Sequence, residues 1–387
     1  MKILQIAPAW ISTPPQNYGG TELVISNLVK GLVANGEDVT LFATGDSKTS
    51  AKLKSIFDKG LVEQKLPWNG ALPPFLHYFE AFKLAESGDF DIIHAHLSSG
   101  PDIMVLAFLA NLKKPAILTI HSNWPFDKYT QMDRTFINLY ARLIPTLSIS
   151  KSHQKLHPQE FKHLDVLHNG LDLDDMQFEA NPKEYLTWLG RIFPYKGLHD
   201  AIKAAKTTNN QLIFGGTIDE QKEDSFKYFN EQIKPQIDGK QIIYLGPLDL
   251  EQKNELLKNA KALLNPIDWE EPFGMVMTES MSCGTPVIAY NRGAAKEIIQ
   301  NGKNGFLVDN LEQMIGAIEK ISSIDRSYCR SYIDQNFSHK TIAKKAVKCY
   351  QQVIADRKSN SKADGIMNKE GMRDFMTIAS DISSKKV

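Results

Sequence analysis

Short apolar runs with strand character alternate with helix-like stretches almost from end to end, and the alternation restarts near the middle of the chain. A parallel sheet covered by helices on both faces accommodates that order, so the expected class is α/β. In the first half the runs are Ile3 to Ala7, Val39 to Ala43, Ile92 to Ala95, Ala116 to Ile120 and Leu147 to Ser150. Between the first two, Thr21 to Asn35 carries Leu23, Leu28 and Leu32 as a buried helical stripe. The second series is Leu186 to Leu189, Leu212 to Gly215, Ile242 to Leu245, Ala262 to Asn265, Pro286 to Ala289 and Gly305 to Val308. A chain of 387 residues exceeds one ordinary core. The expectation is two Rossmann-like domains facing each other across a cleft, residues 1–170 and 171–340, with ligand at the carboxyl edges of the sheets. The join falls near Asn169-Gly170, a turn or a cleft-facing loop, and the acidic stretch Asp172 to Pro182 that follows is the expected hinge. An amphipathic helix follows at 341–357, then a polar, loosely attached tail at 358–387.

The composition narrows the class of partner. Lysine plus arginine and aspartate plus glutamate each total 45, so no overall positive field exists to grip nucleic acid. No stretch approaches the roughly 20 apolar residues that span a bilayer, so any membrane contact is expected to be peripheral. The opening run Met1 to Pro8 reads as a buried strand without a signal-peptide core, and Cys283, Cys329 and Cys349 are scattered and odd in number. A cytoplasmic protein without disulfides is expected.

Three loops carry the chemistry. Trp10 to Tyr18 leads into Gly19-Gly20-Thr21-Glu22, where paired glycines at a helix start bring backbone N–H groups close to an anion, or serve a tight positive-φ turn. The loop lacks Gly-x-Gly-x-x-Gly, which argues against a nicotinamide dehydrogenase. Gly190-Arg191 to Lys196-Gly197 sets two cations five residues apart in a strand-to-helix loop, suited to a diphosphate or merely solvated. Asn265 to Pro286 delivers Glu271 just before a largely apolar helix, Phe273 to Cys283, that carries Glu279. A carboxylate on such a helix needs a hydrogen-bond donor from ligand or protein, and Phe273, Gly274 and Met275 offer helix-start amides. His121 follows a strand at the ligand-binding edge, whereas His94 and His96 lack acidic or cysteine partners for a metal. No metal site and no cofactor are expected.

Taken together, Gly19-Gly20, Gly190-Arg191 with Lys196-Gly197, Glu271-Pro272-Phe273-Gly274 with Glu279, and Gly284-Thr285-Pro286-Val287 resemble the motifs of family-4 retaining glycosyltransferases of the GT-B fold. The resemblance spans Met1 to Arg357 and implies an amino-terminal acceptor domain and a carboxy-terminal domain for a nucleotide-sugar donor. It implies that Arg191 and Lys196 bind the diphosphate and Glu279 the ribose. Glu271 and the Phe273-Gly274-Met275 backbone would hold the transferred sugar, with His121 near the reacting centre. Gly19 and Gly20 would lie near the phosphate and acceptor, Gly246 and Leu248 near the nucleobase, and the last helix would cross back onto the amino-terminal domain. Tyr18 to Glu22 and Leu41 to Ser47 are similar to a subgroup with UDP-glucose:tetrahydrobiopterin glucosyltransferases, which favours UDP-glucose. The implied reaction is metal-independent transfer to the hydroxyl of a small-molecule or glycan acceptor. Trp10 to Tyr18, Pro67 to Gly70, His77 and Trp124 to Phe126 are candidate acceptor walls, their aromatic residues equally readable as loop anchors. A GT-B-like sugar-nucleotide epimerase or phosphorylase and a non-catalytic binder remain the alternatives.

Overall fold

A computed structural model describes residues 1–16, 19–66, 70–123, 131–220 and 222–363, with the backbone alone at 131–133 and 360–363. Asn17-Tyr18, Pro67 to Asn69 and Trp124 to Phe126 therefore lie outside the described residues, as does the tail beyond Ala363.

The first series of apolar runs builds a parallel sheet of β1 (Lys2–Ile6), β2 (Asp38–Phe42), β3 (Lys52–Lys54), β4 (Ile92–Leu97), β5 (Ala116–Ile120), β6 (Pro145–Ser148) and β7 (Lys162–Val166). Their order is β3-β2-β1-β4-β5-β6-β7. Sequence reading found five of these strands. It missed β3, Lys52-Leu53-Lys54, and β7, Lys162-His163-Leu164-Asp165-Val166, because both are edge strands rich in charge, unlike the apolar edges of the second sheet. An edge strand pairs on one side only and tolerates charge, so neither shows an apolar run. The second series forms β8 (Tyr185–Leu189), β9 (Gln211–Gly215), β10 (Ile242–Tyr244), β11 (Ala262–Asn265), β12 (Val287–Tyr290) and β13 (Gly305–Val308), in the order β10-β9-β8-β11-β12-β13. All six were expected.

Each sheet runs outward, returns, and continues on the other side. The strand order therefore reverses between β1 and β4 and between β8 and β11. At such a switch point the two loops diverge above the carboxyl edge and leave a crevice.

The amino-terminal sheet has an apolar core on each face. One packs Leu4, Ile6, Ile93 and Leu118 against Tyr78 and Phe82 of the helix Leu72–Ser87. The other packs Ile3, Ile92 and Ile117 against Ile25, Leu28 and Leu32 of the helix Gly20–Ala34. Leu23, expected in that stripe, is only half-buried; Val24 and Ile25 take the inward positions. The final helix, His339–Ala363, lays Ile342, Ala346, Tyr350 and Val353 on this same core and packs along Gly20–Ala34. It is helical through Ala363, six residues into the segment read as a tail. There its backbone bonds continue without an apolar face.

The chain crosses between domains as a pair of segments. Leu171 N–H donates to Phe337 O and His339 N–H to Leu171 O, both at 2.8 Å. Asn27 Nδ2 donates to the Gly170 carbonyl at 2.9 Å, fixing the Asn169-Gly170 turn against the first helix. A second clamp comes from Glu297, whose carboxylate accepts from the amides of Lys151 and Ser152 at 2.9 Å each, where the helix Lys151–Leu156 begins. A carboxylate there meets free N–H groups and the positive helix end.

Candidate functional site

The loops after β8 and β11 flank the second switch point and are locked together. Trp188 Nε1, from β8, donates to the Lys196 carbonyl at 3.2 Å, and Asp268 N–H donates to the Tyr195 carbonyl at 2.9 Å. Gly197 has φ +72°, and a Cβ there would stand 1.9 Å from the Pro266 carbonyl oxygen. Only glycine fits that approach.

This packing brings Lys196 and Glu271 together across 75 residues of sequence. Lys196 Nζ donates to Glu271 Oε2 at 2.5 Å, and Trp269 Nε1 donates to the same oxygen at 2.6 Å. The ammonium also lies 5.4 Å from the Trp269 ring centroid. Glu271 Oε1 receives no hydrogen bond from the described residues, so among them the carboxylate is held by one oxygen. Trp269 was not singled out from the sequence, although its place two residues before Glu271 was visible.

Gly274, at φ 84° and ψ 66°, precedes the helix Met275–Ser282 and no side chain caps that end. The helix is shorter than expected by two residues at its start and one at its end, because Gly274 is left-handed and Cys283 is the C-cap. The amides of Gly274, Met275 and Val276 have no acceptor among the described residues, whereas Met277 N–H bonds to Gly274 O at 3.0 Å. Phe273 is buried and packs into the domain core. One turn on, Glu279 is 6% exposed and its Oε1 accepts from Lys253 Nζ at 2.8 Å. Its other oxygen takes no hydrogen bond from the described residues. Lys253 lies on the helix Leu250–Asn259, and no local motif marked it. Arg191 is half-buried with its guanidinium carbon 5.6 Å from the Phe193 ring.

Near the expected nucleobase position, Gly246 has φ +79° and its carbonyl accepts from Gly216 N–H at 2.9 Å. Leu248 packs beside Gly215, where an added Cβ would come within 2.5 Å of it.

From the opposite domain, the segments after β5 and β6 reach the acidic loop. Asn123 Nδ2 donates to the Glu270 carbonyl at 2.9 Å, Ser150 Oγ to the Pro272 carbonyl at 2.7 Å and Ser152 Oγ to Glu270 Oε2 at 2.9 Å. His121 thus stands two residues from a contact with the loop that bears Glu271. Burial holds its imidazole neutral, with the pKa lowered to about 3, and the nearby His153 adds to the shift. Its Nε2 meets His96 Nδ1 at 2.9 Å, and its Nδ1 takes no hydrogen bond from the described residues.

At the glycine pair, the positive-φ turn is excluded. Gly19 is extended at φ 176° and Gly20 already belongs to the helix. A Cβ on Gly19 would instead lie 2.8 Å from Glu22 Oε2. Glu22, not selected from the sequence, is buried and has no side-chain partner among the described residues. Burial raises its pKa to about 7, and Asp102 pushes it further up. Two of the candidate acceptor walls take the other reading, as anchors. Trp10 is buried and its Nε1 donates to Asp102 Oδ1 at 3.0 Å, while His77 is fully buried with Nε2 on the Ala7 carbonyl at 2.8 Å. Both hold the core. Among the described residues no group of three or more histidine, cysteine or acidic side chains is placed to hold a metal ion.

Residues 18–175 match the family model Glycosyltransferase Family 4, and residues 173–337 match Glycosyl transferases group 1. A phosphatidyl-myo-inositol mannosyltransferase of Mycobacterium leprae is 24% identical over 329 residues, 80% of this chain and 83% of that protein. Sucrose-phosphate synthase from Thermosynechococcus elongatus has a similar structure, with TM-score 0.71 at 19% identity over 92% of this chain and 99% of that one. HepE from Anabaena, solved in complex with UDP and glucose, gives TM-score 0.65 at 20% identity over 91% and 100%. These structural likenesses establish two Rossmann-like domains in the GT-B arrangement.

Proposed function

We propose that this chain, a GT-B glycosyltransferase of the group 1 and family 4 type, moves a hexosyl group from a nucleoside diphosphate sugar, UDP-glucose by preference, to an acceptor hydroxyl with retention at the anomeric carbon. The supporting observation is that Glu271 and Glu279 are each anchored to a lysine through one oxygen, while the other oxygen takes no hydrogen bond from the described residues. That is the form in which a carboxylate accepts hydroxyls of a bound sugar and ribose. In this reading Glu279 takes the ribose, Glu271 and the Gly274 and Met275 amides the transferred sugar, and Arg191 with Lys196 the diphosphate. The charge that develops on the leaving diphosphate meets fixed cations and helix-start amides, and needs no metal ion. The departing phosphate can take the acceptor's proton, which leaves Glu271 a stabilising role on the front-face route. HepE, solved in complex with UDP and glucose, supports the donor class.

Product analysis tests the reading. Acceptor-dependent UDP release, with the anomeric configuration of the donor kept in the product by NMR, is expected. Epimerised nucleotide sugar formed without acceptor would favour the epimerase alternative, and complete, reversible loss of turnover in EDTA would contradict metal independence. Any membrane contact is taken as peripheral: among the described residues no helix is long and apolar enough to cross a bilayer. Leu72, Phe75, Leu76 and Phe79 form an exposed apolar row on the helix Leu72–Ser87, suited to the surface of a phospholipid bilayer. Sedimentation with phospholipid vesicles should be weakened by Leu72→Asp with Phe79→Asp; equal sedimentation would remove this contact.

A further inference from the structure

We propose that a buried line of hydrogen bonds, running from the final helix through the amino-terminal sheet, fixes the tautomer of His121 and makes Gln5, His96 and Tyr350 positioning residues for the transfer. The inference rests on the reading of His121 as a group facing the transferred sugar.

The two-residue period of a strand puts Gln5 of β1, His94 and His96 of β4 and Thr119 of β5 on one face of the sheet. That face is otherwise packed with Ile3, Ile92 and Ile117 under two helices. Gln5, His94, His96, Thr119 and Tyr350 are all 2% exposed or less. Polar groups in such a layer are costly unless each is satisfied. Here they satisfy one another in a chain. Gln5 Nε2 donates to Tyr350 Oη at 2.9 Å, and Gln5 Oε1 lies 2.8 Å from His96 Nε2. His96 Nδ1 lies 2.9 Å from His121 Nε2. On the far side Tyr350 Oη meets His94 Nδ1 at 2.7 Å, and His94 Nε2 meets Thr119 Oγ1 at 2.7 Å.

The roles of the nitrogens follow by elimination. An amide oxygen only accepts, so His96 Nε2 carries the hydrogen. A neutral imidazole holds one such hydrogen, so His96 Nδ1 is a lone pair and His121 Nε2 must donate to it. Burial keeps His94, His96 and His121 neutral, which is the condition for this alternation. His121 Nδ1 is therefore a lone pair, which in this reading accepts a sugar hydroxyl. Reversing the Gln5 amide would invert the line and present an N–H instead. With the Gln5 amide seated with Nε2 toward Tyr350 and Oε1 toward His96, a helix that touches no substrate in this reading stands at the head of the line that sets what His121 offers to one.

The test combines NMR of full-length protein labelled with 15N-histidine and steady-state kinetics. His121, assigned by loss of its signals in His121→Asn, should carry its hydrogen on Nε2. Tyr350→Phe, which removes one oxygen and keeps the ring, should give a mixture of tautomers. It should lower kcat about 10-fold with the donor KM unchanged, as expected when an orienting partner is lost. His96→Leu should lower kcat at least as far, and His96→Asn, which restores an acceptor for His121, should recover part of the loss. A hydrogen on Nδ1 in the wild type, or unchanged tautomer and kcat in Tyr350→Phe, would overturn the proposal. Wild-type turnover in His121→Ala would instead overturn the reading of His121 itself, whatever its tautomer.

Discussion

Lys196 is where charge, packing and geometry meet, because it joins the loop after β8 to the carboxylate after β11. Lys196→Met should lower kcat/KM roughly 10²- to 10³-fold, the scale of losing one preorganised electrostatic partner in a dry site. Steady-state kinetics with UDP-glucose checks it, and a change under threefold would remove Lys196 from the diphosphate. Glu22 makes a separate prediction from its pKa, raised to about 7 from the usual 4.5. Between those values the folded protein holds a proton that the unfolded chain has released, so Glu22 favours folding at acidic pH and loses that advantage as pH rises toward 7. Glu22→Gln should therefore gain relative to the wild type between pH 4 and pH 8, by roughly 3 kcal/mol at most. Urea unfolding at both values measures it, and a pH-independent difference would show that the carboxyl titrates normally. Glu271, Glu279 and Lys196 were legible in the sequence because each sits in a short local pattern. Lys253 and Glu22 were not. Lys253 meets Glu279 only through the packing of two helices, and Glu22 is unusual only because Gly19 closes over it.

At the scale of elements, the site depends on two loops at one reversal of strand order, so a defect in their contact should disable both. Gly197→Ala introduces a Cβ against the Pro266 carbonyl in a left-handed backbone. Thermal unfolding should show a loss of about 2 kcal/mol or more, with weaker donor binding. Unchanged stability and binding would mean that the loops do not need this approach. Strand positions were readable wherever both neighbours bury an apolar run, as in β1, β4, β8 and β11. β3 and β7 escaped notice because these edge strands carry charge where the edges β10 and β13 carry an apolar run. The start of the Met275–Ser282 helix was placed too early because the apolar period extends through Phe273, while the left-handed Gly274 delays the first turn.

For the whole molecule, buried histidines set the response to acid. Burial lowers His77 and His153 to about 4, His94 and His121 to about 3, His157 to about 2, and His96 well below its usual 6.5. Below pH 6.5 the unfolded chain takes up protons that the folded protein refuses, so each contributes stability above 6.5 that is lost toward its folded value, by about 1.4 kcal/mol per pH unit. These six outweigh the opposite slope of Glu22. The urea midpoint should fall steeply from pH 7 to pH 5, and a flat profile would show that these rings are not buried in solution. The central claim concerns the junction of the two domains, where the β8 and β11 loops of one face the His121 segment of the other. Its most direct test is isothermal titration of UDP into wild-type protein and into Lys196→Met and Glu279→Gln. The expected result is saturable one-to-one binding to the wild type, weakened about 10-fold or more by either substitution, the scale of a charge-assisted hydrogen bond. Absence of binding by the wild type, or equal affinity in all three proteins, would contradict the nucleotide-sugar site.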